Sequence, residues 1–346
     1  MDSGSKRSLT LTSCRSEEVT TGGFMSGIKD IAKQAGVSVA TVSNALNNRK
    51  NVGEETRQKI FKIAEELGYD LPGRRDRLSS TGKNIVFHFS DFSTLYYHDI
   101  LHGISDYVFS KGYNILVSSD RDLKRYRDPS ISCGCISMDF YCDDKILVDL
   151  ASRDYPIIVL DRELTGDGIK SIVVNNYLAQ HQLVEGLVKG GLKTFAWLGG
   201  LDTPDNRERL KAFKDVLQEK GLSCRRTDFY EGNWMEESGD QAARLLMLSE
   251  CMPEALVCAN DMMAIGAIRK FRREGIRVPE DISVTGFDDV IISRYIRLTT
   301  VTVPNYERGY LAAQSLIELL EGRGDYETLH IGARVKWRES SKARPE

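Results

Sequence analysis

Residues 28–48 read IKDIAKQAGVSVATVSNALNN, and the spacing of their apolar side chains decides the fold of the N-terminal part of the chain. Ile28, Ile31, Ala32 and Ala35 recur at helical spacing, with Lys29 and Lys33 outside that stripe. Gly36 follows, a residue free to take a positive φ at a tight turn, and Ser38 stands where the N-cap of a second helix belongs. At about 100° per residue, Val42, Ala45 and Leu46 fall on one side of this second helix, with Val39 at its edge. Ala40, Thr41 and Asn44, all small or polar, fall on the other side. A third helix is predicted in GEETRQKIFKIAEELGY, residues 53–69, with Glu54 and Glu55 in its first turn, where the helix dipole favours acids. Its stripe is Ile60, Ile63, Ala64 and Leu67. Three short helices with a tight turn between the first two predict a helix-turn-helix; a helical hairpin packed on an enzyme is the plainer alternative.

The rest of the chain is much larger. With 346 residues the protein has material for two or three domains, and 41% hydrophobic with 28% charged residues reads as soluble and globular. No apolar run approaches the ~18–20 residues that cross a bilayer. Charge is unevenly spread. Residues 25–82 hold ten Lys/Arg against seven Asp/Glu, residues 1–24 hold three of each, and the overall −3 therefore leaves −6 for residues 83–346. A small basic unit on a larger acidic one is the asymmetry expected when one end touches a polyanion. Residues 1–25, polar and rich in Ser, Thr and Gly, are expected to be a disordered tail, with Met25 the working start.

Little in the sequence points to catalysis. The seven cysteines are scattered, odd in number and not spaced like a zinc site; reduced thiols are expected, with Cys133 and Cys135 of SCGC the one candidate redox pair. His98 and His102 stand one helical turn apart but have no third ligand and no general-base Glu between them. WLGGLDTPDN carries glycines without forming a phosphate loop, and no Ser or Cys sits in a nucleophile elbow. No catalytic residue, metal or cofactor is expected, and no membrane partner.

From Asn84 onward short β-branched runs alternate with amphipathic stretches. NIVFHF, NILVSS, GCISM, PIIVLD and SIVVNN form one round, and TFAWLGG, TDFYEG, ALVCAN and ISVTGFD a second. This alternation predicts parallel sheets with helices on both faces. Two rounds predict two similar lobes, with ligands held between them at the strand ends.

The stretch IKDIAKQAGVSVATVSNALNN…VGEETRQKIFKIAEELGY resembles the DNA-binding headpiece of the lactose/galactose repressor family (LacI/GalR), nearly without gaps from Ile28 to Tyr69. ANDMMAIGA, PEDISVTGFDD, LTTVTVP and GARVKWRES are similar to that family's effector-binding core, which is itself like periplasmic sugar-binding proteins. The resemblance implies a helix-turn-helix domain over 26–70, a hinge linker over 71–83 and a two-lobed α/β core over 84–340. Lobe 1 would hold about 84–175 and 303–324, and lobe 2 about 176–302 and 325–340. The chain would cross between lobes near Asn175, Thr302 and Gly324, with the last strand closing the second lobe.

By the same likeness Ser38–Leu46 is a recognition helix for double-stranded operator DNA. Its small residues let the backbone approach base edges in the major groove. Val39, Ala40 and Asn44 would read bases, and Ser38, Thr41 and Ser43 would hold phosphates. Asn44 departs from the arginine of many relatives; Asn suits adenine where Arg suits guanine. Leu78 would wedge into the minor groove from the hinge, although Arg75, Asp76 and Gly73 depart from the usual hinge pattern. Between Asp120 and Cys133 the family's longer helix, which lies near the pairing surface of the lobe, is about two turns shorter here. For the effector, the resemblance implies Asp161, Arg162, Arg209, Trp234 and Asp261, with Asp91, Phe92 and Tyr96 as further candidates. An aromatic face beside acids and arginines suits a polyhydroxylated ring, and a sugar is the family default, with a nucleobase or a phosphorylated sugar as the alternatives. The expected protein is a cytoplasmic, homodimeric, ligand-responsive repressor. The rival is a periplasmic-type solute-binding protein without a DNA role, which needs an export signal and no headpiece.

Overall fold

The computed structural model describes residues 27–46, 52–67, 83–89, 92, 96–120 and 122–343. The expected tail over 1–25, the linker with Arg75, Asp76 and Leu78, and Asp91 lie outside the described residues. The chain divides into two compact units, residues 1–78 and 79–346.

In the first unit, helix α1 spans Ile28–Ala35 and ends at Gly36, whose φ of 72° makes the left-handed cap that only glycine takes at no steric cost. Ser38 caps the next helix, α2 (Val39–Leu46): its Oγ accepts the Thr41 backbone N–H at 3.0 Å. With α3 (Glu54–Glu66), these helices bury Ile31, Ala32, Ala35, Val42, Ala45, Leu46, Ile60, Ile63 and Ala64 in one small core. The buried set is the helical stripes of the sequence, because in each short helix one face must carry all the apolar contact.

The second unit is built on two parallel sheets. The first has the order β11-β5-β4-β3-β1-β2, where β1 is Asn84–Phe89, β2 Asn114–Ser118, β3 Gly134–Met138, β4 Ile157–Val159, β5 Ile169–Val174 and β11 Leu329–Ile331. The second has the order β7-β6-β8-β9, from Phe229–Glu231, Phe195–Gly199, Ala255–Cys258 and Ser283–Thr285 respectively. β3, β4, β6, β8 and β9 are buried at every position, as expected of parallel strands covered on both faces, and this explains their unbroken apolar runs. A short antiparallel pair, β10 (Thr300–Thr302) with β12 (Arg334–Lys336), lies where the chain passes between lobes.

Helix α4 (Tyr97–Ser110) packs against α11 (Asn305–Leu320), which arrives from far along the chain. The two approach so closely that a Cβ on Gly103 would stand 1.9 Å from the Tyr306 carbonyl oxygen, and one on Gly309 2.1 Å from that of Ile100. In the second lobe, α8 (Glu236–Met247) and α9 (Asp261–Arg273) meet in the same way through Gly239 and Gly266.

Two features differ from or sharpen the expectation. The third passage between lobes does not fall near Gly324. Strand β11 pairs in parallel with β5, Leu329 opposite Ile172, and Asn175 donates its N–H to the Ile331 carbonyl at 2.9 Å. Residues 329–331 thus belong to the first-lobe sheet, and the crossing follows Ile331. The physical reason is the edge of β5, whose unpaired backbone groups β11 satisfies; the Lys170–Asp325 pair at 2.8 Å fastens the approach. The closing segment then lies on the second lobe, where Ser340 Oγ donates to the Val284 carbonyl at 2.6 Å. Between Asp120 and Cys133 the described residues form one 3-10 helix, Leu123–Arg127; Asp122 caps it and buried Leu123 anchors it.

Candidate functional sites: a helix face and an interlobe cleft

On α2 the residues opposite the core form one face. Val39 is 45% exposed, Ser38 and Ala40 are exposed, and Thr41, Ser43 and Asn44 are half-exposed. Ser38 Oγ and Thr41 Oγ1 are 2.8 Å apart, so the hydroxyls stand together at the helix N-terminus. Small side chains on one face and a positive dipole end beside two hydroxyls are what a helix needs to lie against a phosphate-flanked groove.

The second site is a cavity of ≈130 Å³ in the two-lobed unit. Its walls come from the carboxyl ends of the strands. Met138 ends β3, with Phe140 and Tyr141 just beyond; Asp161 follows β4, Leu201 and Thr203 follow β6, Asn233 and Trp234 follow β7, Asn260 follows β8, and Asp288 follows β9. This is where parallel α/β sheets place ligands, because only there do loops from neighbouring strands converge. Tyr96, Tyr97, Asp205, Arg209 and Met235 complete the lining.

Arg209, on α7 (Pro204–Glu219), is fixed on every side. Its Nε donates to Asn176 Oδ1 at 3.0 Å and its Nη1 to the Ala259 carbonyl at 2.7 Å. Its Nη2 lies 3.9 Å from Asp205 and 3.8 Å from Asp288. The guanidinium stacks 3.7 Å over the Phe287 ring and 6.0 Å from that of Trp234. Trp234 has a φ of 73°, uncommon for a bulky residue. Its carbonyl accepts from Asn260 Nδ2 at 2.9 Å, and its ring lies on Gly200, where any Cβ would come within 2.3 Å of it. The strained backbone is therefore held so that the indole forms a wall.

The acids of the cavity are electrostatically loaded. Burial pushes the Asp288 carboxyl up to about 7, with Arg209 opposing and Asp205 adding to the rise. Burial likewise raises Asp161 to about 6, against the pull of Arg162. One oxygen of each, Asp288 Oδ1 and Asp161 Oδ1, makes no hydrogen bond. Tyr96 Oη accepts from Arg308 Nη1 at 3.3 Å, and burial raises this phenol to about 12.

The structure brings together four of the sequence candidates: Tyr96, Asp161, Arg209 and Trp234. Three others do not face the cavity. Asp261 is wholly buried behind it, accepting from Thr300 Oγ1 at 2.5 Å and from the Val290 N–H at 2.9 Å. As the first residue of α9 it turns toward the crossing strand, and burial keeps its carboxyl far above the usual range. Arg162 props the wall from outside: it bonds Asp144, Asp161 and the carbonyls of Asp139 and Cys142, which uses up its fork. Phe92 is 66% exposed and packs edge-on against Phe89 at 4.8 Å. Sequence reasoning missed Asp205, Asp288 and Asn260. The signal for Asp288 was its place just beyond the strand end in PEDISVTGFDD; Asn260 caps α9 and Asp205 lies in the first turn of α7, where helix-end roles hide any other. Among the described residues, no group of three His, Cys, Asp or Glu could hold a metal. His98 and His102 are exposed beside Asp99 and Asp106.

Comparison with known proteins finds matches in both units of the chain. Residues 27–70 match the family described as bacterial regulatory proteins, lacI family. Residues 184–341 match the periplasmic binding protein-like domain. The chain is 32% identical over 304 residues to the probable HTH-type transcriptional repressor ExuR of Bacillus subtilis (strain 168), covering 85% of this chain and 91% of the relative. It is 29% identical to catabolite control protein A of Priestia megaterium, over 91% of this chain and 99% of that one. Among solved structures, the lac repressor dimer bound to operator and the anti-inducer ONPF aligns with a TM-score of 0.64 at 26% identity, covering 91% and 98% of the two chains. A sugar-binding transcriptional regulator of Enterococcus faecalis aligns with a TM-score of 0.68 at 26% identity, over 76% of this chain and 98% of that one.

Proposed function

Since the chain belongs to the lacI family of bacterial regulatory proteins, we propose that its cleft binds a saccharide or closely related polyhydroxylated metabolite, and that this ligand sets its affinity for an operator. The protein is a ligand-responsive, sequence-specific DNA-binding repressor, not a periplasmic solute carrier. No catalytic role is proposed.

One observation carries the choice of ligand. The carboxylates of Asp161, Asp205 and Asp288, a fixed arginine and an aromatic wall line a single cavity. Hydroxyls can donate to the acids while the apolar C–H face of a ring lies on Trp234. A sugar-binding regulator is among the aligned structures, which supports the same class.

The action we propose is that of a cytoplasmic homodimer, associated with the nucleoid when bound. Two α2 helices read two half-sites of a roughly palindromic operator. Ser38, Thr41 and Ser43 hold phosphates; Val39, Ala40 and Asn44 meet base edges; Leu78 enters the minor groove between the half-sites. Ligand between the lobes changes their angle and with it the spacing of the two hinges. It shifts the balance only through unequal affinity for the two states, a tenfold preference moving it by about 1.4 kcal/mol.

The test is fluorescence anisotropy with the DNA upstream of the protein's own gene, at several salt concentrations, with and without a panel of sugars and nucleobases. Tight binding that salt weakens and one sugar changes is the expected result. Folded protein that binds neither this DNA nor a library of random duplexes overturns the proposal.

A further inference from the structure

Resting on the reading of the cleft as the ligand site, we propose that His88 is a positioning residue: through Asp139 it fixes the turn that presents Phe140 and Tyr141 to the ligand. Those two rings belong to the first-lobe wall of the cavity, whereas Trp234 stands on the second lobe.

The turn comprises Asp139, Phe140, Tyr141 and Cys142, directly after β3. It closes where the Cys142 N–H donates to the Asp139 carbonyl at 3.1 Å. The Asp139 side chain completes it. Its Oδ1 accepts the Tyr141 N–H at 3.0 Å, the two-residue reach by which an aspartate mimics a backbone turn. Arg162 adds a clasp, donating to the Asp139 and Cys142 carbonyls at 3.2 and 2.6 Å. Tyr141 is 62% exposed, and its ring centroid lies 4.1 Å from that of Phe140. Burial does little to fix that ring, so the backbone of the turn must.

The Asp139 carboxylate can hold the turn only if it is held itself, and His88 is placed to do so. His88 lies opposite Ser137 in the β1–β3 register, two residues before Asp139. Its Nε2 stands 3.0 Å from the Asp120 carbonyl oxygen and 3.5 Å from Asp139 Oδ2. Two acceptors on that side place the ring proton on Nε2. Nδ1 is buried with no hydrogen bond, so the imidazole has no polar anchor on its other side. Asp139 is buried and His88 wholly so. A buried imidazole costs more than an apolar side chain of its size unless its polar edge is used, and the use offered here is to lock Asp139 toward the turn. Burial holds the ring below its ordinary 6.5, with Asp139 opposing, so at neutral pH it is a neutral donor.

The experiment is hydrogen–deuterium exchange on the full-length, ligand-free protein, followed at the Tyr141 amide and at amides of β1 and β3. His88→Leu is expected to speed exchange at Tyr141 by about tenfold, the order of one net hydrogen bond, with β1 and β3 little changed. His88→Gln keeps a side-chain N–H and is expected to stay near the parent protein. Asp139→Ala should exchange at least as fast as His88→Leu, and the double variant no faster than Asp139→Ala. A Tyr141 amide unmoved by His88→Leu overturns the proposal, as does an equal rise across β1 and β3, which marks a packing role only. His88→Gln exchanging as fast as His88→Leu, or a double variant clearly faster than Asp139→Ala, overturns it too. Nitrogen NMR of the histidine-labelled parent needs no stable leucine variant, the His88 signal being assigned by its loss in His88→Gln. A proton on Nδ1 rather than Nε2 overturns the assignment. Titration with glucose, galactose, ribose and adenine reads the consequence for the cleft. Whichever binds is expected to bind about tenfold more weakly to His88→Leu than to His88→Gln, and equal binding overturns the link to the ligand. Adenine binding with none of the sugars overturns the saccharide reading alone, because the exchange and NMR outcomes do not depend on which ligand binds.

Discussion

Asp288→Asn is expected to stabilise the ligand-free protein at high pH while weakening its ligand. Burial moves the Asp288 carboxyl from its ordinary 3.8 to about 7, so the folded state holds this proton more tightly than the unfolded chain. The sign follows from linkage. Below pH 3.8 both states are protonated and burial of the group costs nothing. From there to about pH 7 the unfolded chain ionises first, and stability falls as pH rises. Each tenfold change in proton affinity is ~1.4 kcal/mol, which makes the cost at most ~4 kcal/mol at pH 8 and ~1–2 kcal/mol at pH 5. Asparagine is neutral throughout and removes that cost, so the advantage of the variant should grow by up to ~3 kcal/mol between pH 5 and 8. At about 2–4 °C per kcal/mol for a unit of this size, the difference in Tm between the two proteins should widen by about 5–10 °C over that interval. The measurement is thermal unfolding of both ligand-free proteins at pH 5, 6, 7 and 8. Asp161 and His88 are common to both and cancel in the difference; Asp261, whose carboxyl Asp288 helps to raise, adds in the same direction. A variant less stable at pH 8, or a difference that does not change with pH, refutes the reasoning. Asp288 would then ionise at little cost and would not be the loaded acceptor of the cleft.

Two further outcomes are expected. Asn44→Arg should change base preference at one operator step from adenine toward guanine, by ~1–3 kcal/mol, read by selection from random duplexes; an unchanged preference would remove Asn44 from the reading face. Asp261→Ala leaves the Thr300 hydroxyl and the Val290 N–H buried without their acceptor, at ~1–3 kcal/mol each. Urea unfolding should therefore show ~2–5 kcal/mol lost, with ligand affinity of the still-folded fraction little changed. The reverse pattern would return Asp261 to the ligand.

Much of this protein was legible in the chain because the signals are local. Helix stripes such as Ile60, Ile63 and Ala64, the Ser38 cap, the Gly36 turn and the unbroken strand GCISM depend on neighbours within a turn or a strand. Their meaning does not change with what packs beyond them, so the three-helix unit and the alternation of strands and helices could be read from spacing alone. The strand-end rule likewise gave a cleft between two lobes before any coordinates, while Asp161 and Trp234 came to it through the family resemblance.

Tertiary structure decided which polar groups face that cleft. The resemblance assigned Asp261 to the ligand, but its carboxyl accepts a hydrogen bond from Thr300, 39 residues away in the chain. Arg209 reaches across the lobe to Asp288 and opposes the rise that burial imposes on that carboxyl. Strand β11 belongs to the first sheet because β5 has an edge to fill, a need that no property of Leu329–Ile331 announces. Each of these outcomes depends on segments far apart in sequence meeting at a few ångströms. There, burial and hydrogen-bond satisfaction outweigh local propensity, because a buried polar group left unpaired costs more than a helix or turn preference can offset.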